Sequence, residues 1–371
     1  MKKYLIDQIQ PSIDQRDLKY LSRAVKNNFV TEGKYTELFE NKIKKLIDTK
    51  YALAINNWTM GLFCGIKAFN LNKDDEIIIP NFTFISCIVA PELAKVKVRL
   101  CDIREDNLCI DLDKAEKLIN KKTKAIMIVH MFGSICDMEK LNYIKKKYNI
   151  LVIEDAAQAL GGKYKNKAIG SFGDISGFSF YGNKIITTGE GGILLTNKKK
   201  YYYEALKLKN YGRKKKGHYI HDSIGYNFKF SDLNAALGIS QLEKLPKMIK
   251  QKNFIDHFYK TELANVKEIK FFKSNFDEKP VYWMIAITVK KKNSLKKFLH
   301  RNRIETRDVF YPLNKQKFVK NQNFIKNAKS SFPVSLKMYK TTLCLPSSAS
   351  ISQKDLKTVC DNIKSFYGYR N

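Results

Sequence analysis

Long apolar runs are missing from this sequence. Among its 371 residues, no stretch approaches the roughly 20 consecutive apolar residues that a helix needs to cross a bilayer. The first seven residues also lack the apolar segment of a secretory signal. We therefore expect neither a membrane anchor nor export, and a location in the cytoplasm.

Paired cysteines are missing as well. The seven cysteines are scattered singly, and none forms a Cys-x-x-Cys pair, which argues against a disulfide framework and against a zinc site. His218 and His221 have a spacing that metal ligands use, but they lie in a Lys-rich stretch that is typical of a solvated loop. We expect no metal site.

Arginine is scarce, although the formal net charge is +32. Of the 68 basic residues only nine are Arg, which leaves 59 Lys. Arg grips phosphate through two parallel hydrogen bonds, whereas Lys is a hydrated point charge. The Lys runs are spread along the chain at 145–147, 198–200, 214–216 and 290–292. This pattern favours solvated faces, and we do not expect nucleic acid to be a partner.

What the sequence does contain is a regular alternation of apolar runs and helical patterns. Strands are predicted at 76–80, 96–103, 124–130, 150–155, 177–180 and 192–196. Helices are predicted between them at 59–69, 111–119 and 137–147. Alternating strands and helices predict an α/β fold with a mostly parallel central sheet, in which ligands bind at the carboxyl ends of the strands.

The two ends of the chain do not show this regular alternation of strands and helices. Helices are predicted at 13–27 and 37–47 before the alternation, and at 231–245 after it. Beyond residue 250 the pattern predicts a strand at 281–289 and helices at 293–302 and 352–366. We expect a large domain over 1–248 and a smaller α+β domain over 249–371.

Asp155 and Lys184 are the first candidates for chemistry. Asp155 closes a strand, so its carboxylate could hold a ligand cation; at ~4 Å the attraction is of order 4 kcal/mol. Lys184 lies between an aromatic strand and a glycine-rich turn, where a lysine can be desolvated and become nucleophilic. Taken singly, Asp155 also suits a helix N-cap and Lys184 a surface charge.

Two hydroxyl side chains could bind an anion. Thr59 precedes a helical run, so its hydroxyl and the neighbouring N–H groups would face an anion at a helix N-terminus. Ser179, on the strand before Lys184, could add a second hydroxyl. Ordinary capping and strand packing are the alternatives.

Several motifs occur together in one order along nearly the whole chain. They are Thr-Glu-Gly-Lys at 31–34, Pro-Asn-Phe-Thr-Phe at 80–84, Glu-Asp-Ala-Ala-Gln-Ala at 154–159, Gly-Ser-Phe-Gly-Asp at 170–174, Ser-Phe…Lys at 179–184, Gly-Glu-Gly-Gly at 189–192, Gly-Tyr-Asn-Phe-Lys at 225–229, Gln-Leu-Glu-Lys-Leu at 241–245 and Tyr-Pro-Leu at 311–313. In this combination the sequence resembles the DegT/DnrJ/EryC1/StrS family of sugar aminotransferases.

The resemblance implies a fold-type-I aminotransferase with pyridoxal 5'-phosphate as cofactor. Lys184 would hold the cofactor as a Schiff base and later move a proton, and Asp155 would pair with the ring nitrogen. Gln158 would lie beside the phenolic oxygen. Phe84 would stack on the ring, a contact that adds ~0.5–1.5 kcal/mol beyond burial.

The resemblance also implies a phosphate site and a homodimer. Thr59, Ser179 and the backbone at Trp58 would bind the cofactor phosphate. Asn227 would reach across the dimer to the partner's phosphate, so that the active site is shared between two protomers. Lys229, Tyr311 and Asn314 would lie near the substrate.

Three of these positions depart from the family pattern. The family usually has Ser-Gly-Thr where this chain has Asn57-Trp58-Thr59, and a glycine there eases close backbone approach. It commonly has Arg at the position of Lys229 and His at that of Asn314. The first departure concerns the phosphate loop, and the other two concern substrate identity.

The resemblance further implies ping-pong transamination from L-glutamate to a nucleotide-linked 4-keto-6-deoxyhexose. The stretches 282–284 and 304–307 resemble the branch that aminates GDP-4-keto-6-deoxymannose for surface polysaccharides. UDP- and dTDP-linked ketosugars, aminated at C4 or C3, are alternatives. A sugar dehydratase, which carries His in place of Lys184, and a nucleic-acid-binding regulator are less favoured.

Overall fold

The computed structural model describes residues 4–213, 217, 219–275, 277–319 and 322–369. The strands, numbered in chain order, are β1 Tyr51–Ile55, β2 Glu76–Pro80, β3 Lys97–Cys101, β4 Thr123–Val129, β5 Leu151–Asp155, β6 Lys163–Tyr164, β7 Lys167–Ala168, β8 Ile175–Ser179, β9 Gly192–Thr196, β10 Ile269–Phe271, β11 Glu278–Lys279, β12 Ile285–Val289, β13 Arg307–Asp308 and β14 Thr342–Leu345. The helices are α1 Gln15–Lys26, α2 Lys34–Ile47, α3 Trp58–Ala68, α4 Ser86–Leu93, α5 Leu112–Leu118, α6 Met138–Tyr148, α7 Lys199–Lys209, α8 Asp232–Glu262, α9 Lys292–Arg301, α10 Pro333–Thr341 and α11 Gln353–Phe366.

A seven-stranded sheet forms the centre of the molecule, in the order β1-β9-β8-β5-β4-β2-β3. Its pairs β2/β3, β2/β4, β4/β5 and β5/β8 are parallel, and β9 runs antiparallel to both of its neighbours. The strands are nearly continuous apolar runs that are buried on both faces, as in sheets with helices on each side. This confirms the predicted α/β class with a mostly parallel sheet.

The six strands predicted for this sheet are confirmed to within two residues at each end. The three helices predicted between them are also confirmed, each displaced by one residue at its ends. The prediction missed β1, α4 and α7 in this part of the chain, and β10, β14 and α10 beyond residue 262. It also missed the two-residue strands β6, β7, β11 and β13. Helix α4 contains Pro91, and α7 is rich in Lys and Tyr, so neither has the usual helical signature.

The helix predicted at 231–245 continues to Glu262, so the predicted end at 245 is wrong. Ser231 caps its first turn, and Pro246 lies inside it. A proline inside a helix removes one backbone hydrogen bond and costs about 3 kcal/mol. The buried side chains of Met248, Ile255 and Tyr259 offset this cost on the far side of the proline.

The strand predicted at 281–289 is shorter than expected. Only Ile285–Val289 joins a ladder, as β12 of a four-stranded antiparallel sheet in the order β10-β12-β14-β13. The preceding residues 281–284 are buried but form no ladder; the Trp283 N–H donates to the Phe132 carbonyl instead. This segment carries Trp283 to the edge of the large sheet.

Two separate apolar cores lie in the molecule. One surrounds the large sheet, and the other lies among the small sheet, α9, α11 and the second half of α8. Ile6 belongs to the second core, and Leu313, Val319 and Ile325 belong to the first, so the chain crosses between the two cores more than once. A domain boundary at 248/249 stays a prediction, and α8 is continuous across it.

Within the described residues, no helix is both long enough and apolar enough to cross a membrane. All seven cysteines are buried free thiols.

Candidate active site

Three loops at the carboxyl edge of the large sheet carry the predicted site residues. Asp155 ends β5, Ser179 ends β8, and Phe84 follows β2. The strands are parallel, so their carboxyl ends meet at one edge, where open α/β sheets bind ligands. Helix α3 adds its N-terminus at Trp58, just after β1.

Asp155 is a buried carboxylate whose two oxygens differ. Its Oδ1 accepts hydrogen bonds from the Trp58 indole Nε1 at 2.9 Å and from the Ala157 N–H at 3.0 Å. Its Oδ2 accepts a weaker one from the Cys87 thiol at 3.4 Å. Burial raises the pKa of Asp155, although the bonds from Ala157 and Trp58 and the charge of Lys184 act to lower it. Oδ2 is the oxygen that can still bind a cation strongly.

The alternative of Asp155 as a helix cap is wrong. Residues 156–162 form turns, and the Ala157 N–H bond closes a tight turn at the end of β5. The next segment, with the Gly-Ser-Phe-Gly-Asp motif, is tied to Glu154, which is fully buried. The carboxylate of Glu154 accepts hydrogen bonds from the N–H groups of Gly170, Phe172 and Gly173 and from the Ser176 hydroxyl.

Lys184 lies in the turn after β8, where its N–H donates to the Tyr181 carbonyl. Its Nζ lies 3.8 Å from the centroid of the Trp283 ring. Burial lowers the pKa of Lys184 to about 8; the attraction of Asp155 opposes this shift, and the charge of Arg307 adds to it. An amine with this pKa is partly neutral near neutral pH and is therefore a nucleophile.

Trp283 is held from two sides. Its indole Nε1 donates to the Asn183 carbonyl at 2.6 Å, and its backbone N–H donates to the Phe132 carbonyl at 2.8 Å. In the sequence, Trp283 stands out only within the 282–284 stretch of the resemblance, and no pattern there predicts its contact with Lys184. The only signal was that tryptophan is rare, since the chain contains two.

Gln158 and Phe84, which are predicted to contact the cofactor ring, differ in their exposure. The Gln158 side chain is buried, and its Oε1 accepts a hydrogen bond from the Phe132 N–H at 2.8 Å. This bond fixes the amide so that its Nε2 donor faces the other way. Phe84 is 52% exposed, and its ring centroid lies 5.7 Å from that of Phe310, so the remaining surface of the ring is free to stack.

The groups predicted to bind the phosphate lie at the N-terminus of α3 and at the end of β8. Asn57 caps α3 by accepting from the Met60 N–H. The N–H groups of Trp58 and Thr59 lie in the first turn, where a helix provides no partner for them. Ser179, at the end of β8, has its Oγ 3.4 Å from the Tyr181 nitrogen. These donors suit an anion at a helix N-terminus.

Asn227 and Lys229 lie on an exposed stretch. Asn227 is exposed and forms an isolated bridge with Asn210. The Lys229 amine lies 4.6 Å from the centroid of the Tyr211 ring. Nearby Ile220 and Ile224 are 75% and 82% exposed, which is unusual for isoleucine. The predicted roles of Asn227 and Lys229 toward phosphate and substrate stay predictions.

Tyr311 and Asn314 differ in their surroundings. Tyr311 is 41% exposed and packs edge-on against Tyr339. Asn314 is buried, and it exchanges two hydrogen bonds with Asn81: the Asn81 Nδ2 donates to its Oδ1, and its own N–H donates to the Asn81 Oδ1. The geometry supports a role in holding two loops together. A substrate contact by Asn314 stays a prediction.

No metal cluster is predicted around the histidines. Among the residues that the structure describes, no group of three or more His, Cys, Asp or Glu side chains could hold a metal ion. His221 is exposed, with its Nδ1 2.7 Å from the Tyr211 carbonyl oxygen. His218 lies outside the described residues.

The residues at this edge of the sheet provide the groups that pyridoxal phosphate needs. They comprise an amine of lowered pKa, a buried carboxylate with one open oxygen, an oriented amide, an exposed aromatic face and an anion site. Fold and site together define the class of enzymes that use this cofactor to transfer amino groups.

Comparisons with known proteins agree. Residues 11–364 match the DegT/DnrJ/EryC1/StrS aminotransferase family, and the chain belongs to it. It is 34% identical over 362 residues to GDP-perosamine synthase of Escherichia coli O157:H7, covering 96% of this chain and 97% of that protein. It is 32% identical to UDP-4-amino-4,6-dideoxy-N-acetyl-beta-L-altrosamine transaminase of Campylobacter jejuni, covering 95% of each. Its fold matches Helicobacter pylori PseC, an aminotransferase of pseudoaminic acid biosynthesis, with a TM-score of 0.92 at 24% identity over 98% of this chain and 99% of that one.

The protein is thus a pyridoxal-phosphate-dependent aminotransferase that acts on nucleotide sugars.

Proposed function

We propose that this enzyme transfers the amino group of L-glutamate to C4 of GDP-4-keto-6-deoxymannose, giving GDP-perosamine for a surface polysaccharide. The reaction balances between the two substrates: glutamate leaves as its 2-oxo acid, and the sugar ketone becomes an amine. The observation that carries the transfer chemistry is that a Lys184 amine of lowered pKa and the buried carboxylate of Asp155 lie at the same edge of the sheet. The choice of sugar rests on similarity to the synthase from E. coli.

Bound pyridoxal phosphate acts as an electron sink, which makes the hydrogen next to the transferred nitrogen acidic. Asp155 would face the ring nitrogen with Oδ2 and so keep it positively charged, and Gln158 would donate from Nε2 to the phenolic oxygen. Phe84 would cover one face of the ring. Thr59, Ser179 and the backbone N–H of Trp58 would hold the phosphate.

Lys184 has two tasks in this proposal. Its neutral amine would hold the cofactor through the aldehyde group, and its Nζ would move a proton at the substrate carbon that carries the transferred nitrogen. A pKa of about 8 suits both tasks, because the amine must gain and lose a proton near neutral pH. The contact with the Trp283 ring would keep Nζ of Lys184 directed into the site.

The active site is completed, in our proposal, by a second copy of the chain. The exposed isoleucines at 220 and 224 would be covered by the partner, and Asn227 would bind the partner's phosphate. Lys229 and Tyr311 would face the substrate. We expect the enzyme to work in the cytoplasm.

The proposal is tested by incubating purified protein with L-glutamate and separate GDP-, UDP- and dTDP-linked 4-ketosugars. We expect the GDP-linked sugar to be aminated fastest, with the amine at C4 identified by mass and NMR spectroscopy. Lys184→Ala should abolish turnover and the borohydride-reducible yellow colour, whereas Lys19→Ala, an exposed lysine on α1, should leave both unchanged. Yellow colour that persists in Lys184→Ala would contradict the role of Lys184.

A second candidate substrate is a UDP-linked ketosugar. The relative from C. jejuni that is named for a UDP-sugar is almost as similar, at 32% identity. The same panel decides between them, since preferential amination of the UDP-linked sugar would replace the GDP assignment and leave the transfer chemistry intact. Dehydration is disfavoured because Lys184 stands where the dehydratase branch carries His.

A further inference from the structure

The side chain of Trp58 is buried inside the protein, although its backbone lies at the phosphate end of the site. Only 3% of the residue is exposed. Two glycines make room for the ring: a Cβ on Gly61 would lie 2.4 Å from the Trp58 Cε3, and one on Gly177 would lie 2.1 Å from its Cζ3. No side chain could occupy either position without moving the indole.

Gly177 also sets where the indole points. It lies on β8 directly opposite Asp155 of β5 in the parallel ladder. The ring that fills the space at Gly177 therefore lies beside the Asp155 carboxylate, and the indole Nε1 donates to Oδ1 at 2.9 Å. Indole nitrogen is a donor only, so this bond favours the ionised form of the acid.

We propose that Trp58 is a positioning residue for the cofactor: its indole N–H holds Asp155 as a carboxylate and directs Oδ2 toward the ring nitrogen of pyridoxal phosphate. This inference rests on the role proposed above for Asp155. The departure from the family pattern at position 58 thus adds a donor behind the carboxylate, and Gly61 and Gly177 provide the space for it.

Three donors surround Asp155, and they are not equivalent. The Ala157 N–H is part of the backbone turn, and the Cys87 thiol is a weak donor at 3.4 Å on the other oxygen. The indole is the strong side-chain donor that a substitution can remove. Its loss leaves a buried carboxylate with one fewer hydrogen bond, so a larger fraction of Asp155 is protonated at a given pH and cannot pair with the ring nitrogen.

The first test uses the protein without cofactor. Because the chain contains only two tryptophans, ¹⁵N-tryptophan labelling gives two indole signals, and Trp283→Phe assigns them. We expect the Trp58 signal to shift with pH as Asp155 titrates, and this shift to vanish in Asp155→Asn. A Trp58 signal that responds to neither change would overturn the proposal.

The second test measures the affinity for pyridoxal phosphate against pH in Trp58→Phe, which keeps an aromatic ring but removes the donor. We expect binding to weaken about tenfold to a hundredfold, the loss being larger at lower pH. Thermal unfolding of the variant without cofactor checks that it folds. An equal loss at every pH would show a packing role only and overturn the inference.

Failure of the proposed function is visible separately. Two results would contradict the role of Asp155, and with it the proposal for Trp58. The first is that the unaltered protein binds no pyridoxal phosphate, and the second is that Asp155→Asn binds it as tightly as the unaltered protein. If the unaltered protein and Asp155→Asn behave as expected while Trp58→Phe keeps the original affinity and pH profile, only the proposal for Trp58 is overturned.

Discussion

The amine of Lys184 lies 3.8 Å from the centre of the Trp283 ring. A cation over the face of a tryptophan is attracted by ~2 kcal/mol when it is removed from water. The contact limits where Nζ can point. Because such a contact favours the charged amine, it acts in the opposite direction to the burial that lowers the pKa of this lysine.

Replacing Trp283 should therefore slow amino transfer more than it weakens substrate binding. We expect Trp283→Leu to lower kcat by about ten- to a hundredfold, because a misplaced reacting group costs about that much. Steady-state kinetics on the best substrate measures it. Trp283→Phe keeps a ring face and should lose less. Equal kcat values in all three proteins would show that the contact has no role in positioning.

The titration of Lys184 should be visible when the cofactor binds. Only the neutral amine attaches the cofactor aldehyde, so the rate should rise about tenfold per pH unit below pH 8 and level off above it. Stopped-flow absorbance after mixing cofactor with unloaded protein measures this rate. Arg307→Gln removes a neighbouring positive charge and should raise the pKa of Lys184, moving the midpoint to higher pH. A rate that is flat between about pH 7 and pH 9 would contradict the assignment.

Glu154 should matter for stability through the loop that it holds. In Glu154→Gln an NH₂ group replaces one of the oxygens that accept the backbone N–H groups of Gly170, Phe172 and Gly173, leaving buried donors unsatisfied. We expect the free energy of unfolding to fall by about 2–4 kcal/mol. Urea unfolding followed by circular dichroism measures the change. Glu37→Gln, on an exposed face of α2, should be near neutral, and a comparable effect of both substitutions would argue against a special role for Glu154.

A shared active site predicts complementation between inactive variants. We expect Lys184→Ala to be inactive and Asn227→Ala to be strongly impaired. In a mixed dimer, one site combines the intact Lys184 of one protomer with the intact Asn227 of the other. After random exchange of subunits, about a quarter of all sites should be of this kind. Activity that does not rise on mixing, although light scattering shows exchanged dimers, would argue for a site within one chain.

The large sheet could be predicted because its strands are short, continuous apolar runs bounded by turn residues. The end of α8 could not, because Pro246 is a local stop signal whereas the burial of Ile255 and Tyr259 depends on the rest of the fold. Tertiary packing decided between the two.

In the site, too, some features follow from the local sequence and others depend on tertiary packing. The positions of Asp155 and Lys184 at the sheet edge follow from local motifs, and the structure brings both there. The direction of the Trp58 side chain depends on Gly177, which is distant in sequence and adjacent only through the sheet. The contact of Trp283 with Lys184 likewise joins two separate parts of the fold.

Helix α8 contacts both the turn that carries Lys184 and the segment that carries Trp283. Near its start, Asn234 donates to the carbonyls of Thr188 and Glu190 in the turn that follows Lys184. Farther along, the buried amine of Lys252 donates to the carbonyl of Trp283. The turn that carries Lys184 and the backbone of Trp283 are thus both hydrogen-bonded to one helix of about 46 Å. If this helix tilted, Lys184 and Trp283 would move with it, so the distance between them can be kept when the surrounding structure moves.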